Sequence, residues 1–433
     1  MIILIMLGIL FLCLIFTVPI AAALGISCIS VFQIFYPGRD MVSMLAQATV
    51  TSIDSFSLLA IPFFMLVGSL MEGGGIAQKL VDVSNVVTGK RAGGLANAAV
   101  VASCFFAAIS GSGPATAAAI GGIMCGAMQA QGYSKGYSGA IIAAGSTIGP
   151  VIPPSIPMIM YGITVGVSVS YMFMGGIIPG LLMGVVLIIW NKHVSKKRGY
   201  YNTDASESTT IQEKLGVLWR AIPAILMPII VLGGIYSGVF TPTESAIIGC
   251  VYSLIVSTFV YRSLTWKAFK KALVDAGITS ATIMILFGAA NTFGRLLTMF
   301  NVPTMMTDFM FSVSQNKYVI MLLINLMLLL IGMFLDTISS ILLFSPIFAP
   351  IAAAIGFDPL HFGIIMVINL CIGMITPPMG GNLFVAQRVS GSTFEEIFKD
   401  TLPMIIVLYL LLLVLIFVPD ITMFLPRALG YIG

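Results

Sequence analysis

Apolar stretches long enough to cross a roughly 30 Å hydrocarbon core recur from one end of the chain to the other. In the first half they predict membrane helices at residues 1–16, 20–36 and 56–71, and again at 136–165 and 173–190. The opening stretch, MIILIMLGILFLCLIF, carries no positive charge ahead of its apolar run, so it reads as a membrane helix and not as a cleaved signal peptide. Two apolar segments are interrupted. Residues 96–130 are broken at their middle by ISGSGPAT, and 136–165 by GPVIPPSIP. Proline removes a backbone donor and glycine loosens a turn, so the first reads as a re-entrant helical hairpin and the second as a broken helix.

The pattern then repeats. Sliding the chain against itself by 224 residues, without gaps, places Gly149 on Gly373, Pro153-Pro154 on Pro377-Pro378, Pro179 on Pro403, and Gly132 and Gly139 on Gly356 and Gly363. The matches are dominated by the residues that set backbone geometry. The second half therefore has its own hairpin near 318–354 and broken helix near 360–388. With five full crossings per half, an odd number, the second repeat (215–433) must lie upside down relative to the first (1–190). The expected fold class is an all-α polytopic membrane protein of two inverted-topology repeats, joined by a hydrophilic linker at 191–214.

Composition agrees. The chain is 59% hydrophobic and 8% charged, against about a quarter charged in soluble domains, which excludes a soluble globular enzyme. No GxxxxGK[ST] motif supplies an ATPase site, no charge run points to nucleic acid, and the six cysteines show no metal-type spacing. With the linker in the cytoplasm, sixteen of the twenty Lys and Arg lie on the inner side, and only Arg39, Arg295, Lys317 and Arg427 lie on or near the outer side. Both termini are then external. Lys79, Lys90 and Arg91 mark a polar stretch at 79–91 which, like 263–276, reads either as an arm along the membrane surface or as an ordinary connection.

Candidate chemistry sits where the helices break. Unwound carbonyls with Ser and Thr hydroxyls make an oxygen cage suited to a bare alkali cation, and helix N-termini favour an anion. One such set per repeat predicts two related cation sites beside one site for an anionic substrate. Ser110 and Ser112 sit on the first hairpin tip, and Ser112 aligns with Asp336 on the second. Asp336 is the only carboxylate expected deep in the hairpins and broken helices, where it needs a cation, a donor or a proton. It also suits an N-cap. Arg388 could hold a substrate carboxylate bidentately or anchor the inner face. Arg295 and Glu244 are explained by snorkelling or capping, and His361 by a polar role at a helix start.

SGSGPATAAAIG, IGPVIPPSIPMIMYG, FLDTISSILLFSPIFAP and ITPPMGGNLFVAQ, in this order, resemble the large membrane subunit (DctM type) of tripartite ATP-independent periplasmic (TRAP) transporters. The resemblance covers essentially the whole chain. It implies a non-enzymatic, sodium-driven importer of an organic acid, of the sialic acid or C4-dicarboxylate class, in the bacterial inner membrane. It implies no cofactor beyond sodium as coupling ion. Its expected partners are a small four-helix membrane subunit on a separate chain and a periplasmic substrate-binding protein. It further implies an elevator motion of the hairpins and broken helices against a scaffold. Carried over residue by residue, one sodium site would use Ser110, Ser112, Gly149, Ile152 and Pro154. The other would use Phe334, Asp336, Thr337, Gly373, Thr376 and Pro378, and substrate contacts would come from Ser112, Ser155 and Asp336.

Three other readings compete. A stand-alone sodium- or proton-coupled anion carrier of related fold would need no partners. An intramembrane protease built on Ser112 and His361 is disfavoured by their separation in the expected topology. A channel is disfavoured because broken helices that line pores are usually arranged about an oligomer axis.

Overall fold

The computed structural model describes residues 2–35, 41–88, 92–201 and 211–432. Helices make up the architecture, and no strand occurs among the described residues. Eight described helices are long and apolar enough to span a membrane, and five shorter apolar ones accompany them.

The first hairpin pairs Gly94–Ser110 with Gly113–Ala130. Its first arm stops because Gly111 takes the left-handed conformation (φ 59°), which a side chain would oppose. Ser112, in extended conformation, then caps the second arm, with Pro114 in the first turn where its missing N–H costs nothing. The second hairpin pairs Lys317–Phe334 with Thr337–Ala354, and here Asp336 is the cap. The two second arms begin and end 224 residues apart.

Each broken helix is two half-helices around an irregular stretch: Lys135–Ser146 with Ile156–Val165, and Pro359–Gly373 with Gly381–Ser390. Both breaks contain a cis Pro-Pro bond, Pro153-Pro154 and Pro377-Pro378. The hairpins pack crosswise: Gly113–Ala130 lies on Gly381–Ser390, and Thr337–Ala354 lies on Ile156–Val165. Each hairpin is thus seated on a half-helix of the other repeat, and the two tips meet at one place.

The remaining helices form the surrounding frame. The 34-residue helix Trp266–Met299 packs on Ala60–Gly73, Met41–Ile53 and Ile20–Phe35, while Pro242–Ile255 packs on Ala60–Gly73.

Two expectations need correction, and two helices were not anticipated. Residues 191–198 belong to the 30-residue helix Val169–Arg198 and not to a linker. Asn191 is fully buried there, accepting from the Tyr137 hydroxyl (2.6 Å) and donating to Asn97 Oδ1 (2.6 Å) and Gly93 O (3.1 Å). The basic stretch 263–276 is not a separate arm, because Trp266 opens the long helix, capped by Thr265. Met41–Ile53 and Val302–Val313 are helices that hydropathy does not single out. Arg39, Lys90, Arg91 and the middle of the linker (202–210) lie outside the described residues.

Candidate functional site

Both hairpin tips open on one cavity of about 710 Å³. Gly111, Ser112, Gly113 and Pro114 line it from the first hairpin, and Asp336, Thr337, Ile338 and Ser339 from the second. The breaks contribute Pro150, Ile156, Pro157 and Met374. The frame closes the far side with Pro19, Ile20, Ala21 and Met65 and with Ile278–Leu286 of the long helix.

At the first tip the donor atoms are oxygens. The Ser110 hydroxyl lies 3.2 Å from Thr116 Oγ1 and 3.5 Å from the Ser112 carbonyl, to which Thr116 donates at 2.7 Å. The tip backbone rides directly on the first break. A Cβ built on Gly111 would collide with the Pro154 carbonyl, and one on Gly149 would lie 2.7 Å from the Ser112 carbonyl. Ser110, Ser112, Gly149 and Pro154 are therefore brought together, with Ile152 buried alongside. A hydroxyl-and-carbonyl set of this kind fits a hard cation. Among the described residues, no group of three or more His, Cys, Asp or Glu could hold a metal ion of another type.

The second tip is stitched to the second break. Met379 N donates to Met333 O (3.1 Å), Thr337 Oγ1 to Met374 Sδ (3.0 Å), and Gly373 packs backbone to backbone on Gly332. Asp336 accepts from Ile338 N (3.0 Å), Ser339 N (3.1 Å) and the Ser339 hydroxyl. Expected deep in the protein, it is instead exposed and faces the cavity, so its charge keeps access to solvent or a ligand. Thr376 sits at the break, donating to Ile372 O (2.8 Å), with Pro378 exposed beside it. The Phe334 side chain points out (60% exposed), leaving only its backbone at the tip.

Two candidate contacts lie elsewhere. Ser155 is fully buried as the cap of Ile156–Val165, donating to Pro150 O and accepting from Met158 N (3.2 Å). Arg388 is exposed in the last turn of Gly381–Ser390, at the end away from the break, and does not line the cavity.

Sequence reasoning missed Thr116, although Ser112 and Thr116 stand one helical turn apart. It also missed Asn382, which is fully buried against Gly113 with neither amide atom bonded. Thr279 and Thr282 on the long helix face the cavity without any local motif to mark them.

Paired hairpins and broken helices around one cavity define a multi-pass membrane permease. Residues 7–421 match the family model described as "Tripartite ATP-independent periplasmic transporter, DctM component". The chain belongs to this family of transporter large permease subunits, which are not enzymes.

It is 42% identical, over 94% of its length, to the isethionate TRAP transporter permease protein DctMQ of Oleidesulfovibrio alaskensis, of which it spans 64%. It is 38% identical to the C4-dicarboxylate TRAP transporter large permease protein DctM of Pseudomonas aeruginosa, over 94% of each chain. Among solved structures, the YdaH transporter of Alcanivorax borkumensis shares the fold (TM-score 0.63, 16% identity, 90% of each chain).

Proposed function

We propose that the chain is the large membrane subunit of a sodium-coupled importer of a small organic acid. In this reading it works in the bacterial inner membrane, with both termini periplasmic, beside a small four-helix membrane subunit and a periplasmic substrate-binding protein. One observation carries the reading: two capped helix N-termini, at Ser112 and Asp336, open on the same cavity. Each presents a positive dipole end to an anion, and each sits beside oxygens suited to sodium. Sodium at the second tip neutralises Asp336, which otherwise repels an anionic substrate.

Relatives named for isethionate and for C4-dicarboxylates share a small organic body with an oxyanion head, and sialic acid carries the same kind of head. Because one wall of the cavity is the long helix, hairpins and broken helices moving together past Ile278–Leu286 would carry the site across the membrane. Loading of both tips makes that crossing easier than half-loading does.

A first test needs no substrate. The protein, purified with its small subunit, is melted in sodium and in choline at equal ionic strength, alongside Asp336→Asn. A ligand at about 100 times its Kd stabilises by roughly 2.7 kcal/mol. A sodium-specific rise that shrinks in Asp336→Asn is the expected result. Sodium-driven uptake that persists in Asp336→Ala overturns the coupling mechanism.

A further inference from the structure

Apart from the hairpin-tip cavity, three of the same helices line a second pocket of about 400 Å³. On the long helix the lining passes from Leu286 to Phe287, Asn291, Arg295 and Thr298. On the second hairpin it passes from Ser339 to Leu342 and Pro346, and on the half-helix of the first break from Pro157 to Thr164. All three walls advance away from the tips, so the pocket lies farther along the same three helices than the cavity does. Their chemistry differs. The cavity is walled mostly by apolar side chains, whereas the pocket gathers a guanidinium, a carboxamide and two hydroxyls.

Arg295 and Asn291 stand one turn apart, with Thr298 a turn further. Thr298 and Thr164 spend their hydrogens on the carbonyls of Gly294 (3.1 Å) and Met160 (2.7 Å). The free donors are therefore Arg295 and the Asn291 amide. Among the described residues neither has a hydrogen-bond or ion-pair partner, and Arg295 is exposed. A snorkelling arginine needs only a path to the interface. This one shares a walled pocket with a second unpaired donor, and a guanidinium with a neighbouring amide matches the planar face of an oxyanion.

We propose that the Arg295–Asn291 pocket is a second anion subsite, where the carboxylate or sulfonate head of the cargo rests before or after the hairpin tips. The proposal rests on the anionic cargo proposed above, but on none of the sodium-site residues. Its recognition element is a single positive charge, so it selects the head group and leaves the organic body to the first cavity.

The probe is a pair of thiol reagents of equal size, a methanethiosulfonate bearing a sulfonate and one bearing a quaternary ammonium. They are applied to Thr298→Cys in the full chain with its small subunit. The six native cysteines are buried or half-buried, and the parent protein supplies the blank. One unit charge roughly 6 Å away in water acts with opposite sign on the two reagents, so their rate ratio should change about tenfold on adding Arg295→Gln. Millimolar succinate, against chloride at equal ionic strength, should slow labelling only where Arg295 is present. An unchanged ratio, or protection by succinate that survives Arg295→Gln, overturns the subsite. Should Thr298→Cys not fold, Thr164→Cys on the facing half-helix reports the same asymmetry. Failure of the sodium-site reading shows separately, as a missing sodium melting shift in the protein with Arg295 intact.

Discussion

Gly373 offers the most direct test of how the second break meets its hairpin. A Cβ added there would lie 2.6 Å from the Gly332 carbonyl carbon, 2.7 Å from its Cα and 2.9 Å from its oxygen. Non-bonded carbons are content at about 3.5–4.0 Å, so the two backbones must part by nearly 1 Å. No side chain can swing away, because the obstacle is itself a glycine backbone. Overpacking of this kind costs about 1–3 kcal/mol, against which alanine returns about 0.5–1 kcal/mol of backbone entropy. For one cooperative chain of 433 residues, the net loss of up to about 2.5 kcal/mol lowers the melting temperature by up to about 3 °C. Gly126→Ala is the control, since nothing lies within 4 Å of its added carbon, and it should raise stability by about 0.5–1 kcal/mol. Both variants are melted in lipid nanodiscs by intrinsic fluorescence. If Gly373→Ala melts with or above the parent, the close packing of break on hairpin is refuted. The matched Gly149→Ala, 2.7 Å from the Ser112 carbonyl, should behave like Gly373→Ala.

Other outcomes follow from the same geometry. In choline, Asp336→Ala should cost about 1–2 kcal/mol through its lost cap, while Asp336→Asn, an equally good cap, should cost a few tenths; equal losses would refute capping. Asn191→Ala strands the buried Tyr137 hydroxyl and loses the tie to Asn97, so it should cost roughly 2–4 kcal/mol in a denaturation series; a loss under about 1 kcal/mol would show that water replaces the amide. The Arg198–Asp400 pair (2.5 Å) is 40% exposed at its arginine and 11% at its aspartate, so it is only partly screened: Asp400→Asn should cost about 1 kcal/mol, falling as salt rises, and a salt-independent loss would refute screening at the arginine.

The hairpin tips were legible because their grammar is local. Gly111 stops a helix and Ser112 caps the next, and Asp336 does the same work at the second tip within a few residues of sequence. The hidden parts depend on packing. Asn191 sits among KHVSKKR and looks like the start of a hydrated tether; only the approach of Tyr137 and Asn97 buries it. Trp266–Met299 begins with three lysines among its first six residues, so hydropathy alone divides what the backbone keeps continuous. The far wall of the cavity, Ile278–Leu286, has the same apolar character as a lipid-facing turn, and hydropathy cannot distinguish lipid from protein as the neighbour. Asn382 lay within a quoted motif, but its burial against Gly113 depends on a contact made across more than 250 residues of chain. Arg388 shows the opposite limit: charge and position made it plausible, and the direction of its half-helix takes it away from the cavity.

The crosswise packing of the hairpins has a consequence for how the protein is made. Gly113–Ala130 finds its partner surface on Gly381–Ser390, which leaves the ribosome some 250 residues later. At roughly 5–20 residues per second, that delay lasts on the order of 12–50 s. Through that interval the first hairpin sits in the bilayer with Gly113 and Gly121 lacking Asn382 and Val389, which lie against them in the finished fold, a surface open to insertion factors. Neither half can complete its own transport elements alone. Cutting the gene at the linker should therefore yield two fragments that recover their fold only when expressed together.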